Sequence, residues 1–230
     1  MIDYSNDKKF ITSIKNHLFT AVIGDIMDKM GRYHQFLAPR IRPLDLKMKL
    51  AGRAMPVLEA DAFLNLSPNK NNPILSKSFG LMLEALDNLQ EGDVYICTGA
   101  SPNYALWGEL MSARAIHLKA AGAVVDGYSR DSNGIIDLGF PTFSYGRYAQ
   151  DQAPRGKVID YGVPIKMNGV LIEPGDLIIG DDEGVCVVPK SIEKEVIEKA
   201  YEKATAEKTV KKAIEAGMSA TEAFNTYGIL

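Results

Sequence analysis

DVYICTGASPNYALWGELMSARAIHLKAAGAVVDGYSRD, residues 93–131, decides the fold. Asp93 to Thr98 is a short apolar run bounded by Gly92 and Gly99, which predicts a strand. The loop after it leads into a helix that starts near Glu109 and is expected to stop at Gly122. Ala123 to Asp126 then predicts the next strand. Strand, loop, helix and strand in that order form a crossover of the kind that builds parallel sheets, and its hand is right. The fold class is therefore α/β.

Outward from this unit, a helix is expected over Asp7 to His17. Thr20 is expected to cap a second, whose face is Val22, Ile23, Ile26, Met27 and Met30 and whose stop is Gly31. Leu50 to Ala60 reads as a strand entered through Gly52, and Asn65 to Pro73 as a polar loop, a tolerated surface insertion. Leu75, Phe79, Met82, Leu83, Leu86 and Leu89 recur at helical spacing, predicting one helix to about Gln90. After Pro141 come short strands and tight turns, with Asn168-Gly169 as a hairpin signal and turns at Pro174-Gly175-Asp176 and Asp181-Asp182-Glu183. From Ser191 the chain is helical and charged, with an inner stripe of Ile192, Val196, Ile197, Ala200 and Ala204. Ser219 and Glu222 suggest a capping box for a last helix. One domain over 1–230 is expected, with a helical part at 1–47, a core at 48–190 and C-terminal helices at 191–230.

With 46% hydrophobic and 24% charged residues the chain has the composition of an ordinary soluble globular protein. A formal charge of -3, with no dense Lys/Arg cluster, argues against nucleic acid as a ligand. The first residues lack the pattern of a signal peptide and no apolar run is long enough for a bilayer, so a cytoplasmic protein with no membrane partner is expected. Cys97 and Cys186 sit in strand-like segments without metal spacing and read as reduced core residues. His17, His34 and His117 are scattered and form no ligand set.

Glu109 begins the crossover helix, and Arg130-Asp131 follow the carboxyl end of the second strand. Both places face the sheet edge where ligands bind in open α/β folds. Carboxylate oxygens suit hard cations such as Mg²⁺ or Mn²⁺, and a guanidinium offers a planar fork to the oxygens of a small acid. Gly108 permits close backbone approach, and the N–H groups of Leu110 and Met111 at the helix start can receive an anion. The same residues admit a structural reading, since Glu suits a helix N-terminus on dipole grounds and an Arg-Asp pair is usually a solvated ion pair. Trp107 and Tyr104 fit either a substrate entrance or loop packing, and Lys119, in the last turns of the helix, suits the dipole better than a Schiff base.

The run WGELMSARAIHLKAAGAVVDGYSRDSNGIIDLGFPTFSYG, residues 107–146, closely resembles the family of 4-hydroxy-4-methyl-2-oxoglutarate aldolase and regulator of ribonuclease activity A. Its aldolases carry an acid followed after twenty intervening residues by Arg-Asp, matched here by Glu109 and Arg130-Asp131. TAVIGDIMDKMG (20–31), MKLAGRAMPV (48–57) and NGVLIEPGDLIIGDDEGVCVVP (168–189) agree in order, so the resemblance covers most of the chain. It implies a three-layer β/β/α swivelling-domain-like core with N- and C-terminal helical extensions, assembled as homotrimers or homohexamers with sites between subunits. It implies that Asp131 ligates a divalent cation, Mg²⁺ or Mn²⁺, that Glu109 holds it directly or through water, and that Arg130 binds pyruvate-like oxygens beside the N–H groups of Leu110 and Met111. The activity implied is metal-dependent cleavage of a 4-hydroxy-2-oxo acid to pyruvate and a second oxo compound. Oxaloacetate decarboxylation passes through the same enolate and is expected alongside. The alternative is a non-catalytic regulator that binds ribonuclease E; the methyltransferase label given to some members lacks its Gly-rich nucleotide turn here. This chain departs from the aldolase pattern twice, with Glu109 where Asp is usual and Gly134 where a carboxylate is frequent.

Overall fold

A computed structural model describes residues 1–62 and 72–228. In chain order the elements are α1 (Asp7–His17), α2 (Thr20–Lys29), β1 (Arg42–Pro43), β2 (Leu50–Asp61), α3 (Pro73–Ser76), α4 (Met82–Asp87) and β3 (Asp93–Thr98). There follow β4 (Ala105–Trp107), α5 (Glu109–His117), β5 (Gly122–Val125), β6 (Tyr128–Ser129), α6 (Ser132–Asp137) and β7 (Thr142–Ser144). The last third holds β8 (Gly156–Tyr161), β9 (Ile165–Met167), β10 (Val170–Ile172), β11 (Leu177–Asp181), β12 (Gly184–Val188), α7 (Glu193–Glu215) and α8 (Ala220–Tyr227).

One 8-stranded sheet organises the chain in the order β1-β7-β5-β3-β2-β11-β12, with β8 on the outer half of β2. The neighbours β2, β3, β5 and β7 are parallel, which establishes the expected crossover, and β1, β8, β11 and β12 join antiparallel. Side chains alternate across this sheet, as the strand period requires. Ala51, Leu177, Ile179, Cys186 and Val188 meet α1, α2 and α7. On the same face Met55, Val57, Tyr95, Cys97, Ala123 and Val125 meet α4, α5 and α6. The opposite face, with Leu50, Ala54, Val94, Ile96, Val124 and Ile178, is covered by the β9–β10 hairpin through Ile165, Met167, Val170 and Ile172. Helices, sheet and hairpin make the three β/β/α layers. The hairpin turns at Asn168 and Gly169, both at positive φ as a two-residue turn of this hand needs.

The terminal helices form where expected because their caps and stripes are local. Asn6 accepts from the Lys9 N–H to start α1, and Ser219 accepts from the Glu222 N–H to start α8. Ile14, Val22, Ile23, Val196, Ile197 and Ala200 are almost fully buried. Each large aliphatic among them is worth roughly 1.5–3 kcal/mol. Arg53 of β2 pairs with Asp7 of α1 and Glu193 of α7, tying both extensions to the sheet.

Four local expectations are corrected. Thr20 does not cap α2; it is the first helical residue, and the cap comes from Asp181, whose carboxylate accepts 2.7 Å bonds from the Thr20 N–H and hydroxyl. The single helix up to Gln90 is interrupted, because Gly80 bridges to Val158 and the flanking Phe79 and Leu81 also bond its backbone, so only α3 and α4 are helical there. The crossover helix ends at His117, not Gly122: Lys119 takes positive φ, and its N–H and that of Ala120 bond back to Ile116 and Ala115 in a Schellman turn. The first 47 residues are helical only to Lys29, since Phe36 then bridges to Cys186 and β1 pairs with β7. Of the expected loop Asn65 to Pro73, residues 65–71 lie outside the described residues, and Pro73 opens α3. Cys97 and Cys186 are free and buried. Among the described residues no helix is long and apolar enough to cross a membrane.

Candidate active site

After leaving the parallel sheet, the chain ends of β3 and β5 pair a second time. β4 and β6 form a small parallel ladder, Ala105 opposite Tyr128 and Trp107 opposite Ser129, and the Arg130 N–H donates to the Trp107 carbonyl at 2.9 Å. Gly108-Glu109 and Arg130-Asp131 are the residues immediately beyond that ladder. Their proximity therefore follows from backbone pairing and not from flexible loops.

Asp131 sits before α6 in the left-handed region, φ 52 and ψ 34, a conformation that a non-glycine residue adopts at a cost and that Asp tolerates better than most. There its Oδ2 lies 3.5 Å from Arg130 Nε, while Arg130 Nη1 donates to Asp151 Oδ1 at 2.8 Å. Gly108 faces the same group: a Cβ there would stand 3.2 Å from Asp131 Oδ2 and 3.6 Å from Arg130 Cγ. Glu109 reaches across to α6, where its carboxylate rests on Gly134; a Cβ on Gly134 would fall 2.3 Å from Glu109 Cδ. Among the described residues the Glu109 carboxylate has no hydrogen-bonding or ion-pair partner.

Arg130 and Asp131 stand between two hollows. One, of about 510 Å³, is polar and is shared by Glu109, Arg130, Asp131, Ser132, Asn133 and Arg147. Arg147 is held by a 3.0 Å bond to Asn133, and the Ser132 hydroxyl is buried with no partner among the described residues. The other, of about 360 Å³, begins at Gly108, Leu110, Met111, Arg130 and Asp131 and runs along an apolar wall. Gly108 offers no side-chain cap to α5, so the N–H groups of Leu110 and Met111 fall outside the helical ladder where these residues line the cavity.

Behind this second cavity lies a buried acid. Gln152, on its lining, donates to Glu59 Oε2 at 2.6 Å, and Glu59 Oε1 has no partner among the described residues. Glu59 follows an irregularity in the β2–β8 register and is 2% exposed. Burial pushes its carboxyl up to about 8, against the lowering effect of the nearby Cys97 thiol and of the Gln152 hydrogen bond. Lys157 is buried too, its Nζ donating to the Lys77 and Ser78 carbonyls, and burial lowers its pKa. Tyr104 is buried, donates to Asp61 at 2.7 Å and serves packing, while Trp107 is buried with its indole N–H on Ser112 at 2.8 Å and backs the wall of the second cavity.

The donor set suits a hard divalent cation. Among the described residues no group of three or more His, Cys, Asp or Glu side chains could enclose a metal ion. Two carboxylates on one hollow, one of them unpaired, match instead the manner of Mg²⁺, which keeps several waters and takes only one or two protein carboxylates.

All six residues singled out from the sequence, Gly108, Glu109, Leu110, Met111, Arg130 and Asp131, gather around these two hollows. Asp151, Gln152, Asn133 and Arg147 were not foreseen. Arg147, Asp151 and Gln152 lie in a segment without periodicity or motif, brought in by the register of β6 against Arg147, whereas Asn133 falls within the resembling run at a position its pattern does not mark. Phe79 to Leu86 showed an apolar period, but the period does not say that part of it lines a cavity.

A family model described as RraA-like, Aldolase/RraA, matches residues 20–187. A Halalkalibacterium halodurans protein with the provisional name 4-hydroxy-4-methyl-2-oxoglutarate aldolase is 31% identical over 94% of this chain and 93% of its own. The Legionella pneumophila protein DlpA is 28% identical over 90% of this chain, which spans only 32% of that longer protein. The crystal structure of Streptomyces coelicolor RraAS2, described as an unusual member of the RNase ES inhibitor RraA family, superposes with a TM-score of 0.75 over 90% of this chain and 97% of that one. At 24% identity it speaks for the fold alone.

Proposed function

Because the chain belongs to the Aldolase/RraA family, we propose that it is a carbon–carbon lyase that uses a divalent cation to cleave a 4-hydroxy-2-oxo acid into pyruvate and a second carbonyl compound. Oxaloacetate decarboxylation is its companion activity. The observation that carries this reading is the convergence of Glu109, Arg130 and Asp131 on one hollow at the start of α5.

In this reading Asp131 and Glu109 hold Mg²⁺ or Mn²⁺, which when bound supplies a Lewis acid for the 2-oxo oxygen. Arg130 binds the oxygens of the pyruvyl unit, oriented by Asp151, and is placed to stabilise negative charge as it develops there. The N–H groups of Leu110 and Met111 receive the substrate carboxylate, and Gly108 lets that carboxylate approach the backbone. The left-handed turn at Asp131 keeps its carboxylate beside Gly108 before any substrate arrives, so little reorganisation accompanies the reaction. Assembly into a trimer or hexamer would let a neighbouring copy complete the exposed side of the site. The presence of both acids beside Arg130 favours chemistry over a role confined to binding ribonuclease E.

Pyruvate release from 4-hydroxy-2-oxo acids, followed with Mg²⁺ or Mn²⁺ and after chelation, tests the proposal. Arg130→Ala and Asp131→Ala are expected to lose roughly a hundredfold or more. Full activity in either variant, or in chelator, defeats it.

A further inference from the structure

The cavity that starts at Arg130 continues along Phe79, Met82, Leu83, Leu86, Leu106 and Trp107, with Leu110 and Met111 at its mouth. From this we infer that the substrate carries an apolar group on C4, a branched alkyl or aryl substituent, so that the second product is an apolar aldehyde or ketone. This rests on the proposed lyase reading and specifies it further.

Charge decides against a second carboxylate at this end. Among the described residues Arg130 is the only cationic side chain on the cavity lining, and it is already engaged by Asp151. Two acids, Asp131 and Asp151, share that lining. A carboxylate pushed past them onto the apolar wall would lose its water without gaining a partner. An alkyl or aryl group there removes apolar surface from water instead. The volume of about 360 Å³ lies within the range of small-ligand cavities. Continuity matters as much as composition: Gly108, Leu110, Met111 and Arg130, assigned to the pyruvyl head, form the polar end of this same cavity, so head and tail lie along one path.

The reaction balances without a co-reactant. The C3–C4 bond breaks with its electron pair left on C3, the 4-hydroxyl loses its proton as C4 becomes a carbonyl, and a proton is taken up at C3 to give the methyl group of pyruvate. Substrate thus yields pyruvate and R–CHO or R–CO–R′ with no change in overall oxidation state.

The test compares two 4-hydroxy-2-oxo acids that differ only at C4, one bearing an isobutyl and one a carboxymethyl group, by kcat/KM for pyruvate release with Mg²⁺. The apolar substrate is expected to be favoured by roughly tenfold or more, as hydrophobic pockets discriminate. Leu83→Arg, at a position 54% exposed and therefore tolerant of charge, is expected to move the preference towards the carboxymethyl substrate. Equal kcat/KM for the two acids overturns the inference alone. So does a preference for the carboxymethyl acid that Arg147→Ala removes, which would put the tail in the polar hollow. If Leu83→Arg changes the oligomeric mass and leaves the preference unmoved, the wall is a contact between copies and the inference is also overturned. Release from neither acid overturns the lyase reading and this inference with it.

Discussion

The carboxylate of Glu109 lies directly on Gly134, with Oε2 2.3 Å from where a Cβ on that residue would stand. The longer acid on α5 and the missing side chain on α6 are therefore one adjustment. Both departures from the aldolase pattern fill the same small volume, and the acid from residue 109 takes up space that a side chain at 134 would need.

Gly134→Ala is expected to displace that carboxylate. Alanine favours a helix interior by about 0.5–1 kcal/mol over glycine, so stability should hold or rise. Pyruvate release and apparent affinity for Mn²⁺ should instead fall, by roughly tenfold or more, since small misplacements at a reacting centre are costly. Adding Glu109→Asp, one methylene shorter, should recover part of the loss. A Gly134→Ala enzyme with unchanged cation affinity would separate the two residues.

Asp151→Ala removes the acceptor that orients Arg130 at 2.8 Å. Both groups are well exposed, so the melting temperature should stay within the scatter of surface substitutions. A several-fold rise in KM with a smaller change in kcat is expected, the pattern of weakened substrate binding. Steady-state kinetics with the wild-type and variant proteins decides it.

Glu59 predicts a pH dependence of stability. Its carboxyl is raised in the folded protein to about 8 by burial, while the unfolded chain has an ordinary carboxyl near 4.5. Between these values the folded state holds a proton that the unfolded state has lost. Its contribution is thus full below about 4.5 and declines as pH rises towards 8, at up to about 1.4 kcal/mol per pH unit. Glu59→Gln should flatten that slope in urea unfolding between pH 5 and 8. An unchanged slope would place the titration elsewhere.

Thr20→Val keeps the shape of a fully buried residue and removes its bond to Asp181 Oδ1. The Thr20 and Glu183 N–H groups remain as donors to that carboxylate. A cost of roughly 1.5–3 kcal/mol is expected from the loss of one hydrogen bond to a charged group, measurable by denaturant unfolding. Asp181→Ala should cost more, because the first turn of α2 then loses its cap as well.

Legibility followed the range of the interactions involved. The crossover, the Asn168-Gly169 hairpin and the terminal helices rest on signals a few residues long, and they are where the sequence puts them. The left-handed Lys119 escaped notice because a glycine three residues later was the obvious stop. The capping of α2 by Asp181 spans 161 residues, and the hairpin acid looked like a solvated turn. At the site, Glu109 and Arg130-Asp131 were visible from topology and resemblance, whereas the β4–β6 ladder that joins them is too short to leave a pattern. Glu59 had no signal at all: an acid in an apolar strand reads as an outward-facing residue unless the register irregularity beside it is known.

One face of the sheet is divided between two cores, one under α1, α2 and α7 and the other under α4, α5 and α6. Disturbances in the first should therefore combine with those in the second by simple addition, within about 0.3–0.5 kcal/mol. The helical buttress could then be reinforced, by filling its gaps or strengthening its ends, to raise heat tolerance without retuning turnover.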